Sequence, residues 1–268
     1  MRFAYNTNGV QNHRLEDAVE LVADAGYDGV ALSLDVHHLN PFAPFLPSRA
    51  FKLGQRLSAL GLGTVIETGA RFLLNPRVKH EPTLVSPEPG GRAHRLEFLH
   101  RCVDVASVLG SEAVSFWSGV PRPGVSREDA HTWLREGIDA LRAYADARDV
   151  VVALEPEPGM VISDLDDFLA LAPSDMPLAL DTGHCLVTGE RDPADAVREF
   201  AGRTATITVE DMRRGEHVHL PFGEGDMDVR SVLAAISEIS FTGLVCVELS
   251  RDSHRAHEMV PAAIAALR

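Results

Sequence analysis

The sequence predicts a single (β/α)8 barrel, one domain spanning residues 1–268, on three observations. Short apolar runs alternate with helix-period segments, eight of each, and parallel strands need crossovers of that kind. Three of the apolar runs, ending at Glu155, Asp181 and Glu248, finish in a carboxylate at their downstream edge. The long connections, 35–47, 68–90, 117–125 and 211–227, all follow strands, whereas the helix-to-strand turns are short. Barrel active sites lie on that strand-end face. A doubly wound open sheet is the runner-up. Asn6-Thr7-Asn8 stands where its Gly-rich phosphate loop would follow the first strand, so no dinucleotide site is expected.

Taken in order, residues 2–7 read as a strand, and 15–25 as a helix with Leu15, Val19 and Val22 on one stripe. A turn at Gly26 to Gly29 leads into a strand at 30–34. Segment 48–60 is helical and stops at Gly61, a C-terminal stop signal. A strand at 63–67, a long helix at 91–109 and a strand at 113–117 follow. The helix at 126–148 opens with Ser126 and Asp129 in an approximate capping box. Strands at 150–155, 177–181, 204–210 and 243–248 alternate with helices near 163–172, 193–201 and 228–239, and a helix at 255–267 ends the chain.

Composition narrows the partner. A formal charge of −14 argues against a phosphate-backbone ligand, whose affinity comes from clustered Lys and Arg. No apolar run approaches the ~18 residues of a membrane span, and the start of the chain lacks a signal-peptide pattern. A cytoplasmic protein with a small-molecule ligand is the expectation. Cys102, Cys185 and Cys246 are odd in number and read as reduced thiols. Cys185 follows His184, yet a small residue beside a barrel site is usually filler.

Three carboxylates held together repel one another and raise each other's pKa unless a cation lies among them. Glu155, Asp181 and Glu248 facing one barrel mouth therefore point to a hard divalent metal. Such an ion grips a carbonyl and an adjacent hydroxyl and acidifies the C–H between them. A pair of Glu residues on opposite sides of that carbon can take and return its proton.

The motifs Leu154-Glu155-Pro156-Glu157-Pro158, Asp181-Thr182-Gly183-His184, Gly223-Glu224-Gly225-Asp226-Met227-Asp228 and Val247-Glu248-Leu249 carry a resemblance. The chain resembles the xylose isomerase-like barrels, and within them the sugar phosphate isomerase/epimerase group. The resemblance implies metal-assisted isomerisation or epimerisation of a sugar, cyclitol, sugar phosphate or keto acid, with Mg, Mn, Co or Zn as the ion. It implies Glu155 and Glu248 as metal ligands and acid/base pair, Asp181 as a ligand, His184 on a substrate hydroxyl and Arg214 reaching the substrate. One position departs from the pattern: Thr208 stands where the family has a His ligand. Glu210 on the same strand face, or His217 or His219 from the loop, is the candidate replacement. A barrel that binds no metal is the third option.

Residues 71–80 place Arg71, Arg77, Lys79 and His80 together in an otherwise acidic chain. Read as a site, with Arg71, Lys79 and His80 binding substrate, they suit a phosphate or carboxylate; read blandly, they pair with surface acids. Trp117 ends a strand and offers a stacking face for a sugar or cyclitol ring. His37 and His38 are adjacent, so their rings diverge, and neither is assigned to catalysis. Three functions compete: the isomerase, epimerase or dehydratase group, a DNA-repair endonuclease sharing the barrel, and a metal-free lyase or metabolite-binding barrel. The missing histidines and the net charge disfavour the second. Barrels of this group often pair as homo-oligomers, but nothing in the sequence locates an interface.

Overall fold

A computed structural model describes residues 1–268, and eight of its ten strands close into one barrel. The strands are β1 (Arg2–Asn6), β2 (Gly29–Ser33), β3 (Gly63–Glu67), β4 (Val114–Trp117) and β5 (Val152–Glu155). They continue with β6 (Leu178–Asp181), β7 (Thr204–Val209), a short hairpin of β8 (Asp211–Arg213) and β9 (Glu216–Leu220), and β10 (Leu244–Val247). All barrel neighbours pair in parallel, and β10 closes the ring between β7 and β1. Around them run α1 (Leu15–Asp24), α2 (Leu46–Leu60), α3 (Pro89–Leu109), α4 (Arg127–Asp146) and α5 (Leu165–Leu171). The circuit ends with α6 (Thr182–Thr188), α7 (Pro193–Glu199), α8 (Val229–Glu238) and α9 (Ala256–Leu267). No helix is long and apolar enough to cross a membrane.

Alternation along each strand sorts side chains by size. Tyr5, Leu32, Ile66, Phe116, Leu154 and Leu180 face the helices within a main core of 61 residues. Each such burial is worth roughly 1.5–3 kcal/mol. The opposite faces carry Ala4, Ala31, Val65 and Cys246, which with Leu244 form a separate cluster of five inside the barrel. Small residues are needed there because eight strands leave an interior only as wide as a few side chains. One step further along the same faces the side chains turn polar, and that layer forms the site.

Two elements differ from the sequence reading. Residues 182–188, left unassigned between the expected strand at 177–181 and helix at 193–201, form α6, because the Asp181 carboxylate caps it by accepting the His184 backbone N–H at 3.0 Å. Asp181 is thus the last residue of β6 and the N-cap of α6 at once. Residues 211–220, read as loop, form the β8–β9 hairpin, which turns at Gly215 with φ +76°. Asp211 anchors the segment that follows by accepting backbone N–H groups from Gly223 at 2.8 Å and Met227 at 2.9 Å. Elsewhere the expected strands and helices hold with ends moved by one or two residues. The stop at Gly61 is a left-handed cap whose N–H bonds back to Leu57 and Ser58.

Candidate active site

The strand-end face opens onto a cavity of about 490 Å³ lined by 22 residues, only 3 of them hydrophobic. Glu155, Asp181, Glu248 and His184 line it, as do Arg71, Lys79, His80 and Trp117. Arg214 does not: it sits exposed in the turn of the β8–β9 hairpin, where its backbone N–H donates to Asp226 at 3.0 Å. The substrate contact expected of Arg214 is thus not among those the cavity lining brings together. Arg77, His37 and His38 also lie outside the lining, and the His38 Nε2 meets the His13 carbonyl at 3.1 Å. Burial pushes the Cys185 thiol far up, which suits filler and not a nucleophile.

The cavity floor is a ring of carboxylates larger than the sequence reading expected. Glu67, the last residue of β3, joins it. Ser115 on β4 pairs in register with Glu67 and donates its Oγ to Glu155 Oε2 at 3.1 Å, so it stands between the two acids. Burial holds the Glu67 carboxyl well above the usual range, and Glu248 adds to the shift. Burial does the same to Glu155, reinforced by Glu157 and Glu67. Glu248 is oriented from β1: the Asn6 amide donates to its Oε2 at 3.1 Å and the Asn8 amide to its Oε1 at 2.7 Å. Asn6 is in turn held by the Ser33 hydroxyl at 2.8 Å.

His184 faces this ring from α6. Its Nδ1 meets the Pro156 carbonyl at 2.9 Å and therefore carries a proton, leaving Nε2 at 3.6 Å from both Asp181 Oδ2 and Glu157 Oε2. Burial opposes a charge on the ring, but the two carboxylates outweigh it and its pKa is raised. Asp181 responds oppositely: burial raises it, yet His184 and His219 hold it below the usual range. The Glu157 carboxyl is pushed up to about 7, first by burial.

Thr208 is buried one layer down, in register with Asp181 and Cys246. The hairpin fills the space above it. His219 on β9 lies between Glu248 Oε1 at 3.7 Å from its Nε2 and Glu210 Oε1 at 3.9 Å from its Nδ1. His217 is farther out, 3.8 Å from Glu157 Oε1, and burial pushes its pKa down to about 4. Glu210 is fully buried and neither of its oxygens accepts a hydrogen bond. Burial keeps it well above the usual carboxylate range, with Asp181 and Glu248 adding to the effect. It lies over α6, where a Cβ on Gly183 would collide with its Oε1 and with Met212. That contact explains the glycine of the Asp-Thr-Gly-His motif.

A family model for the xylose isomerase-like TIM barrel matches residues 19–268. The chain belongs to that family. No curated protein matches it in sequence. Among solved structures, this xylose isomerase-like barrel is similar to a D-allulose 3-epimerase from Methylomonas sp., at 18% identity over 100% of this chain and 96% of the other, with a TM-score of 0.75. It is also similar to a 3-keto-D-glucoside 4-epimerase from E. coli, at 14% identity over 100% and 99% of the two chains, TM-score 0.76. A third, the IOLI protein solved with a zinc atom, shares 17% identity over 99% and 96%, TM-score 0.74. At these identities the likeness is one of fold.

The donor set suits a divalent ion on chemical grounds. Ligand atoms of Glu155, Asp181 and His184 lie within 4.8 Å of one another, and so do those of Glu157, His184 and His217. Carboxylates with imidazole match Mn, Co and Zn as well as Mg. The unpartnered oxygens of Glu210 and the unpartnered Nδ1 of His219 mark the same corner as unsatisfied without a further group.

Proposed function

We propose that this barrel is a sugar isomerase or epimerase that moves a proton at the carbon next to a carbonyl, with Glu155 and Glu248 as its acid/base pair. One observation carries the reading. The two carboxyls stand on strands three places apart in the ring, β5 and β10, and both line the cavity. A carbon held between them is reachable from two sides.

One carboxylate takes the proton, the C–H electron pair moves into the carbonyl, and an enediolate results. The other carboxyl returns a proton, to the opposite face for epimerisation or to the neighbouring carbon for isomerisation. Burial, with Glu157 and Glu67, raises the Glu155 carboxyl above the usual range, which strengthens its hold on a proton taken from substrate. Asn6 and Asn8 fix the direction of Glu248, and His184 offers an N–H to a substrate hydroxyl. Glu155, Asp181 and Glu248 would hold a divalent cation, with His219 in the place of the imidazole that Thr208 lacks. Bound there, the cation supplies Lewis-acid polarisation of the carbonyl.

The metal-free lyase or binding barrel rests on a different observation: Glu67, Glu155 and Glu210 are all raised, so the cluster can neutralise itself by holding protons. One experiment separates the two. Hydrogen exchange between candidate ketoses and deuterated water is followed by NMR for the protein with and without Mn or Co. We expect metal-dependent exchange that falls about 10²–10⁴-fold in Glu155→Gln and Glu248→Gln, both still folded. Exchange that survives in both variants would sink the assignment.

A further inference from the structure

The cavity is bipolar. Its floor is acidic, while its rim carries three cations, Arg71, Lys79 and Arg251. Elsewhere in this acidic chain some arginines are paired, Arg191 with Asp166 and Glu199, Arg198 with Glu238 and Asp195, Arg148 with Asp104, while others such as Arg49, Arg135 and Arg230 are not. The three rim cations make no ion pair. The Arg71 guanidinium is instead fixed by neutral acceptors, the Gln11 side-chain oxygen at 2.7 Å and the Ser250 carbonyl at 3.3 Å. Those contacts set its position and leave its charge uncompensated. The nearby Asp35 carboxylate is engaged by backbone N–H groups, from Val36 at 2.7 Å and Arg71 at 3.2 Å.

A fourth cation lies behind the rim. Arg95 is fully buried with Nε and Nη1 unpartnered, donates Nη2 to the Thr68 carbonyl at 2.8 Å, and stacks 4.0 Å above the Trp117 ring. It forms no ion pair, although Glu81 lies near enough to favour its charge, and it adds to the positive field on that side. His80 feels the sum: burial, then Lys79, Arg95 and Arg71, push its ring down to about 4 and keep it neutral. Lys79 is likewise lowered, by burial first and then by Arg71, with Glu157 opposing and Arg251 adding a smaller push.

We propose that the substrate carries an oxyanion group, phosphate or carboxylate, at the end remote from the reacting carbonyl, and that Arg71, Lys79 and Arg251 form its subsite. Arg71 is half-buried and fixed in place while Lys79 and Arg251 stand exposed at the same opening, so the three converge on one point of the rim, where guanidinium and ammonium donors match both oxyanions. The proposal deepens the isomerase reading, on which it rests only in taking the acidic floor as the reacting end.

Isothermal titration calorimetry at low ionic strength tests it, with inorganic phosphate and glycolate as separate probes. Wild-type protein is compared with the double variant Lys79→Ala/Arg251→Ala and with Arg77→Ala, a control in the same loop but outside the cavity. We expect one site for at least one probe, weakened about tenfold or more in the double variant and unchanged in Arg77→Ala. Binding of phosphate alone identifies a phosphorylated substrate, and of glycolate alone a carboxylate. The proposal is overturned if neither probe binds folded wild-type protein, if the double variant binds as well as wild type, or if Arg77→Ala loses as much as the double variant. Glu155→Gln keeps the oxyanion site on this model, so lost proton exchange with intact anion binding indicts the acid/base assignment, and the converse indicts the subsite.

Discussion

The two ends of the barrel interior are built by the same strands with the same alternation, and they could hardly differ more. At the lower end Ala4, Ala31, Val65, Leu244 and Cys246 close an apolar plug in which the Cys246 thiol, against the Thr206 hydroxyl at 3.8 Å, is the most polar group. At the upper end the next residues on those faces are Asn6, Ser33, Glu67 and Glu248, and carboxylates outnumber the cations that face them. The lower end is optimised for packing. The upper end accepts repulsion, desolvation and unpartnered oxygens, the cost that a reaction site extracts from a scaffold. Stability and chemistry should therefore separate cleanly by layer.

The largest effect expected in the lower layer is from Leu244→Ala. Its side chain packs against Gly29 and Gly63, and its loss should cost about 2–5 kcal/mol in urea unfolding while leaving proton exchange per folded molecule intact. In the upper layer Asn8→Ala removes the 2.7 Å bond that aims Glu248. Turnover should fall about 10–100-fold with little change in melting temperature, by analogy with supports that orient other catalytic ligands. A melting temperature that drops while turnover holds would erase the distinction between the layers.

A smaller effect concerns pH. The folded Glu157 carboxyl, at about 7, lies above its unfolded value near ~4.3. The folded state thus binds the extra proton, and this stabilisation is full below about 4.3 and lost as pH rises through about 7. In chelator-treated protein the melting temperature should decline from pH 5 to pH 8, less steeply in Glu157→Gln. The smallest effect is Arg214→Ala, on the exposed hairpin turn, which should change stability by no more than about 0.5 kcal/mol and leave exchange unaltered.

The barrel was legible because buried parallel strands announce themselves as apolar runs, and the acids at 155, 181 and 248 were legible because they end such runs. Glu67 gave the same signal, as the last residue of the strand read at 63–67, but was not counted among the site acids. The run Gly63-Thr64-Val65-Ile66-Glu67 ends in an acid just as the others do. What the sequence could not show was which side chains meet across the ring. Asn6 and Asn8 reach Glu248 over some 240 positions of sequence because β10 closes against β1. Arg251 enters the rim from the loop after β10, with no motif to mark it. The hairpin was hidden because its strands are short, although Glu216-His217-Val218-His219-Leu220 already alternates.

Asp181 has one more consequence. Its carboxylate belongs to the cavity and, through the His184 N–H at 3.0 Å, to the first turn of a helix. Whatever draws on that carboxylate, be it a cation, a proton or a sugar hydroxyl, changes the acceptor strength felt by a single backbone amide. The His184 amide resonance is therefore a gauge of site occupancy supplied by the protein itself, readable by NMR before any substrate is known.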